Sequence, residues 1–101
     1  ELFNLATTYD AESSEVFYRL AEAYNKKADY DKAIENANKA IELENGGKTD
    51  KAKIYFELGL AYQAKGQKAQ ACSALTNAAF GSFQGPSNHK MEFELKCDSA
   101  N

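Results

Sequence analysis

The sequence predicts an all-α fold built from antiparallel helix-turn-helix repeats. Three observations carry this. Apolar and small residues recur at spacings of three and four from Val16 onward, the stretches between them are short and polar, and the whole pattern returns once at a fixed offset. A chain of 101 residues is one domain at most, so each helix has to contribute to a modest core. One Pro and six Gly leave room for long helices.

The first stripe is Val16, Phe17, Leu20, Ala21 and Tyr24, and the second is Ala33, Ile34, Ala37, Ala40, Ile41 and Leu43. Between them lies NKKADYD, where Asp29 stands ready to cap the second helix. Two amphipathic helices joined by so short a turn lie antiparallel. Ile54, Tyr55, Leu58, Gly59, Ala61 and Tyr62 form a third stripe, and Ala71, Cys72, Leu75, Ala78 and Ala79 a fourth. The turn between these two is AKGQKAQ, in which Gly66 can take a positive φ at the helix end. Leu20-Ala21-x-x-Tyr24 aligns with Leu58-Gly59-x-x-Tyr62 at an offset of 38 residues, and Ala33/Ala71 and Ala40/Ala78 keep it.

These residues resemble the tetratricopeptide repeat (TPR) family, whose unit is a helix-turn-helix of about 34 residues. Phe17 stands at the family's aromatic position, and Leu20, Ala21 and Tyr24 match its Leu-Gly-x-x-Tyr core. Ala28-Asp29-Tyr30 resembles its Gly-Asp-Tyr turn, and Ala33 and Ala40 match its close-packing alanines. Tyr55, Leu58, Gly59, Tyr62, Gly66, Ala71 and Ala78 take the same roles in the second unit. The departures are Ala37 for a large aromatic, Asn45 for the terminal Pro and Lys68 for the turn Tyr. The excess over the usual period fits an extra turn around NGGKT.

The resemblance implies a short right-handed superhelical α-solenoid of about six helices. Residues 1–13 resemble the second helix of a truncated repeat, residues 14–47 and 48–83 two full repeats, and residues 84–101 a capping helix opened by Pro86 after a break at Gly81–Gly85. The chain starts ELFNLA with no initiator Met and no visible signal peptide, which reads as a fragment or a processed protein, resembling a C-terminal fragment of a bacterial TPR protein. A first helix lacking its partner leaves Leu2, Phe3 and Leu5 at an edge that invites pairing into a homo-oligomer.

The same resemblance implies a protein–protein interaction scaffold and not an enzyme, with the first helices of the repeats lining a concave face. On that face the peptide-binding candidates are Tyr18, Glu22 and Asn25 in the first unit and Lys53, Phe56, Leu60 and Gln63 in the second, with Glu15 beside them. Phe56 and Leu60 make the third helix apolar on more than one side, as a partner site or a packing contact would. Members that bind peptide C-termini use a Lys and Asn clamp, but the matching positions here carry Tyr18, Glu22 and Glu57, whose acids repel a carboxylate. Two further readings stand beside this one, a structural self-assembly module and a non-catalytic segment of a larger enzyme or regulator.

Other chemistry finds little purchase. Twelve basic against fifteen acidic residues, a net charge of −3, disfavour nucleic acid. No apolar run approaches the roughly 18 residues of a membrane span. GGKT at 46–49 lacks the leading Gly of a phosphate loop, since Glu42 stands there, and reads as a polar loop with Thr49 capping the next helix. His89 is the single histidine, and the sequence shows no metal-ligand or catalytic motif at set spacing around it; acids such as Glu35 fall four residues from Lys39 along a helix surface. No catalytic residue, cofactor or metal is expected. Cys72 and Cys97 flank the break near Gln84 at matching distances, which predicts a disulfide if the last two helices run antiparallel. Such a bridge points to an oxidising compartment, periplasmic or secreted, and the alternative is two free thiols in a cytosolic protein.

Overall fold

The computed structural model describes residues 14–94, apart from the side chains of residues 92 and 93. The helix expected at residues 1–13 and Cys97 lie outside the described residues. Helices α1 (Ser14–Lys26), α2 (Tyr30–Leu43), α3 (Lys48–Ala64) and α4 (Lys68–Ala78) form two hairpins. A 3-10 turn (Gly81–Phe83) then leads into α5 (Gln84–His89), which continues as a π-helical turn (Lys90–Glu94). No strand occurs among the described residues.

Each hairpin closes on itself, and α3 packs on both helices of the first hairpin. Small residues allow this. Ala21, Ala37, Ala40, Ala52, Ala61, Ala71 and Ala78 are all fully buried, so the backbones approach closely at every helix crossing. Ile54 and Leu75 are the large side chains at the centre, each stabilising the fold by about 1.5–3 kcal/mol through burial. Gly59 faces Leu75 so tightly that a Cβ there would stand 2.8 Å from the leucine Cγ and Cδ2. The Gly of the Leu-Gly-x-x-Tyr core is therefore a packing requirement. At the join between hairpins, Glu44 accepts from Ser14 Oγ (2.7 Å) and from the Gly46 N–H (3.0 Å), fixing the loop against the start of α1.

The two intra-repeat turns are superimposable in their hydrogen bonding. Asp29 N–H reaches Tyr24 O and Gln67 N–H reaches Tyr62 O, both at 2.9 Å, the long bond of a Schellman helix end. The residue this motif puts in the left-handed region is Gly66 (φ 79°) in the second repeat and Ala28 (φ 64°) in the first. Only the first repeat carries a Cβ there, and it is strained.

Two capping expectations need correction. Asp29 occupies the N-cap position of α2, but its side chain makes no capping hydrogen bond. Thr49 lies inside the first turn of α3, not at its cap. Gly47 is the N-cap, and its N–H donates to Asp50 Oδ2 at 3.2 Å. Glycine leaves the backbone free to present that N–H, and the carboxylate three residues on accepts it beside the positive end of the helix.

The turns generate a mirrored pair of outcomes. Ala28→Gly should raise stability in urea unfolding by about 1 kcal/mol, because the left-handed cost disappears. Gly66→Ala should lower it by a similar amount, since an added Cβ meets nothing within 4 Å and only the backbone conformation opposes it.

Candidate functional site

Helices α1 and α3 are equivalent, so the 38-residue offset pairs Glu15 with Lys53, Tyr18 with Phe56, Glu22 with Leu60 and Asn25 with Gln63. The structure divides these residues into three groups.

At the start of the two helices the side chains bind one another. Lys53 Nζ lies 3.0 Å from Glu15 Oε1 and 4.8 Å from the Tyr18 ring centroid, and Arg19 covers the same ring at 5.5 Å. The hydrogen bond from Lys53 holds the Glu15 carboxyl below its ordinary range. Tyr18, expected at the rim of a binding face, belongs instead to the core cluster with Ala21, Ala37, Ile54 and Leu58. The reason is its two-sided environment: small neighbours admit the ring between the hairpins, and the cations roof it. Burial is also the main cause that pushes its hydroxyl pKa up, with the Glu22 and Glu57 charges adding to it.

Phe56 and Gln63 form the second group. The Phe56 ring meets Phe83 at 5.2 Å between centroids, tilted by 47°. Gln63 Nε2 donates to Glu94 Oε1 at 2.9 Å, and Lys90 Nζ reaches Gln63 Oε1 at 3.4 Å. The expected anchor Phe56 is thus engaged by the chain's own C-terminal segment. The alternative for Phe56 is packing against the first unit or a neighbouring chain; the contact observed is with Phe83 of the C-terminal segment. Phe83 near Phe56 and Glu94 near Gln63 mean that the segment runs in the direction of α3, and hence opposite to α4. Thr76 Oγ1 of α4 meets Met91 Sδ at 3.4 Å on that line.

The third group stays open. Glu22, Asn25 and Lys26 of α1, Tyr30 at the start of α2, and Glu57, Leu60 and Ala64 of α3 line a groove of about 330 Å³. Asn25 Nδ2 crosses between the helices to the Glu57 carbonyl oxygen (3.0 Å) and to Glu57 Oε1 (2.8 Å). Asn25 Oδ1 is buried with no hydrogen-bond partner. Burial pushes the Glu57 carboxyl pKa up; the Asn25 hydrogen bond opposes this, the Glu22 charge adds to it and the Lys26 charge opposes it. A larger hollow of about 430 Å³ lies against α1 and α2, but of its lining residues only Phe17 is apolar, beside Glu35, Asn36, Asn38, Lys39 and Glu42.

Residues 3–86 match the family described as the SusR N-terminal TPR domain. The chain belongs to this TPR family. Comparison with curated proteins finds no significant match. TPR domains generally mediate protein–protein interaction and are generally non-catalytic scaffolds. Among the described residues of this TPR domain, no group of three or more His, Cys, Asp or Glu side chains is arranged to hold a metal ion. No helix among them is long and apolar enough to cross a membrane.

Of the sequence candidates, Glu22, Asn25 and Leu60 come together in the groove, whereas Tyr18, Lys53, Phe56 and Gln63 are occupied by contacts within the chain. Glu57, Lys26, Tyr30 and Ala64 complete the lining. Their signal was present as spacing: Glu57, Leu60 and Ala64 fall at steps of three and four on α3, and Asn25 and Lys26 fall three and four residues after Glu22 on α1.

The raised Glu57 pKa fixes a sign. In the folded chain this group holds its proton to higher pH than the ordinary carboxylate value of 4.5, so its contribution to stability falls as pH rises through the window above that value. Glu57→Gln keeps an oxygen for Asn25 and cannot ionise. The variant should be at least as stable as the parent at neutral pH, with the difference vanishing in acid below the unfolded-state pKa, as thermal melts across pH would report.

Proposed function

We propose that this TPR domain holds an extended or helical segment of a partner protein along α1 and α3, in the groove bounded by Glu22, Asn25, Lys26, Tyr30, Glu57 and Leu60. One observation carries the reading: the groove is a stretch of the first-helix face where apolar and hydrogen-bonding side chains converge and which no residue of the described C-terminal segment lines. Leu60 and Ala64 offer apolar contact, and Glu22, Asn25 and Glu57 offer polar groups that set register. Anchors of this kind, apolar at the centre and ringed by polar groups, dominate binding energy in interfaces. Tyr18 and Phe56 act here as the packed base that holds α1 and α3 in place.

A peptide recovered from a random display library on the 101-residue chain provides the test. Its amide perturbations in NMR should fall on α1, α3 and the start of α2. Leu60→Ala should weaken it by roughly tenfold, about 1.4 kcal/mol, with helical content unchanged. An unchanged affinity would move the binding surface elsewhere.

We also propose a Cys72–Cys97 disulfide. What supports it is the direction of the described C-terminal segment: it runs opposite to α4 and meets Thr76 at Met91, and Cys72 stands one turn before Thr76 on α4. Closing that loop would stabilise the chain by roughly 3–4 kcal/mol in the chain-entropy model, and would place the protein in an oxidising compartment such as the periplasm. Non-reducing peptide mapping should recover the two cysteines in one linked fragment, and reduction should lower the melting temperature.

A further inference from the structure

We infer that the groove recognises a basic side chain, a lysine or arginine of the partner segment, whose cationic head meets Glu57 while a neighbouring apolar residue lies on Leu60. This rests on the groove being the binding site.

The charges around the groove are unequally satisfied. Glu22 is held by Arg19 at 3.4 Å, Glu15 by Lys53 at 3.0 Å and Glu94 by Lys90 at 3.1 Å. Glu57 forms no salt bridge among the described residues, and its side chain receives a hydrogen bond from Asn25 alone. An ionised carboxylate can accept several donors, so most of its capacity is unused. Lys26 lines the same groove and its charge acts on Glu57, but the two form no salt bridge among the described residues.

Geometry favours a long cation over a short one. Glu57 lies along the groove from Leu60 and Ala64 at helical spacing, and Tyr30 stands on the rim. A lysine or arginine lays its methylene stem on apolar surface and projects its charged head, and the carboxylate waits at the end of such a surface. With Glu22 paired by Arg19, Glu57 is the lining carboxylate left without a salt bridge among the described residues, so a cation is favoured there over an acidic group. A cation would also relieve the half-buried charge, whose pKa is raised in its absence.

The deciding experiment sequences the peptides selected on the 101-residue chain and measures one of them as a synthetic, end-capped peptide. The selected set should share a Lys or Arg next to an apolar residue. Glu57→Gln should weaken the synthetic peptide by about tenfold or more. Replacing the basic residue of the peptide by norleucine should cost a similar factor, and the two losses should not multiply when combined. Selected peptides without a basic residue, an affinity untouched by Glu57→Gln, or fully multiplicative losses would overturn the basic specificity while leaving the binding face in place. Recovery of no peptide, or perturbations away from α1 and α3, would overturn both readings.

Discussion

Everything in this chain depends on how closely helix α3 can be approached. It packs on α1 and α2 on one side and on α4 on another, and it takes Phe83, Lys90 and Glu94 of the C-terminal segment along a third. A helix with three neighbours cannot keep large side chains on every side. Ala52, Ala61 and Gly59 are buried where a backbone or a leucine comes close, and Ile54 and Leu58 fill the spaces left between. The small residues give up apolar area but let the helices approach to contact distance, where dispersion between well-packed atoms adds up. This one constraint sets the tilt of the second hairpin on the first, and so the width of the groove between α1 and α3.

The hairpins were legible because their signal is periodic and redundant. Leu20, Ala21 and Tyr24 recur as Leu58, Gly59 and Tyr62, and each pair occupies the same place in its helix. The Schellman turn was legible from Gly66 and much less so from Ala28, because only glycine advertises a left-handed backbone. Caps were harder. Asp29 has the right chemistry at the right position without making the bond, and Gly47 with Asp50 achieves the same end by a route that no single residue announces.

The site was half legible, for a physical reason. Repeat symmetry predicts which residues of α1 and α3 point away from their own hairpin, and Glu22, Asn25 and Leu60 among them line one groove. It cannot predict what arrives from outside the repeat. Phe56 and Gln63 occupy positions equivalent to Tyr18 and Asn25, yet the C-terminal segment covers the first pair, while α3 itself supplies the cover for Tyr18 through Lys53. Each repeat's outward face is filled by whatever follows it in the stack. The first repeat meets a whole hairpin and the second meets the helical segment 84–94, so equivalent residues meet different neighbours.

That asymmetry also explains where the unfavourable local choices gather. Ala28 holds a strained left-handed backbone, Glu57 carries a half-buried carboxyl that resists ionisation, and Asn25 Oδ1 is buried without a partner. Ala28 lies in the turn between Lys26 and Tyr30, which both line the groove, and the other two residues face each other across it. Elsewhere the described chain has helices buried on their small-residue faces and glycine where a turn or a close contact needs it, and one further departure, the buried Ser87 Oγ of α5, which has no hydrogen-bond partner among the described residues and does not line the groove. Sequences selected only for stability remove such costs, since a glycine at 28 or an amide at 57 would answer two of them with one substitution each. Local departures that persist together are expected at functional surfaces, where an unsatisfied polar group is satisfied by what binds. In this domain the departures at Ala28, Asn25 and Glu57 share one boundary with the groove, and it is the end of α1 facing the middle of α3.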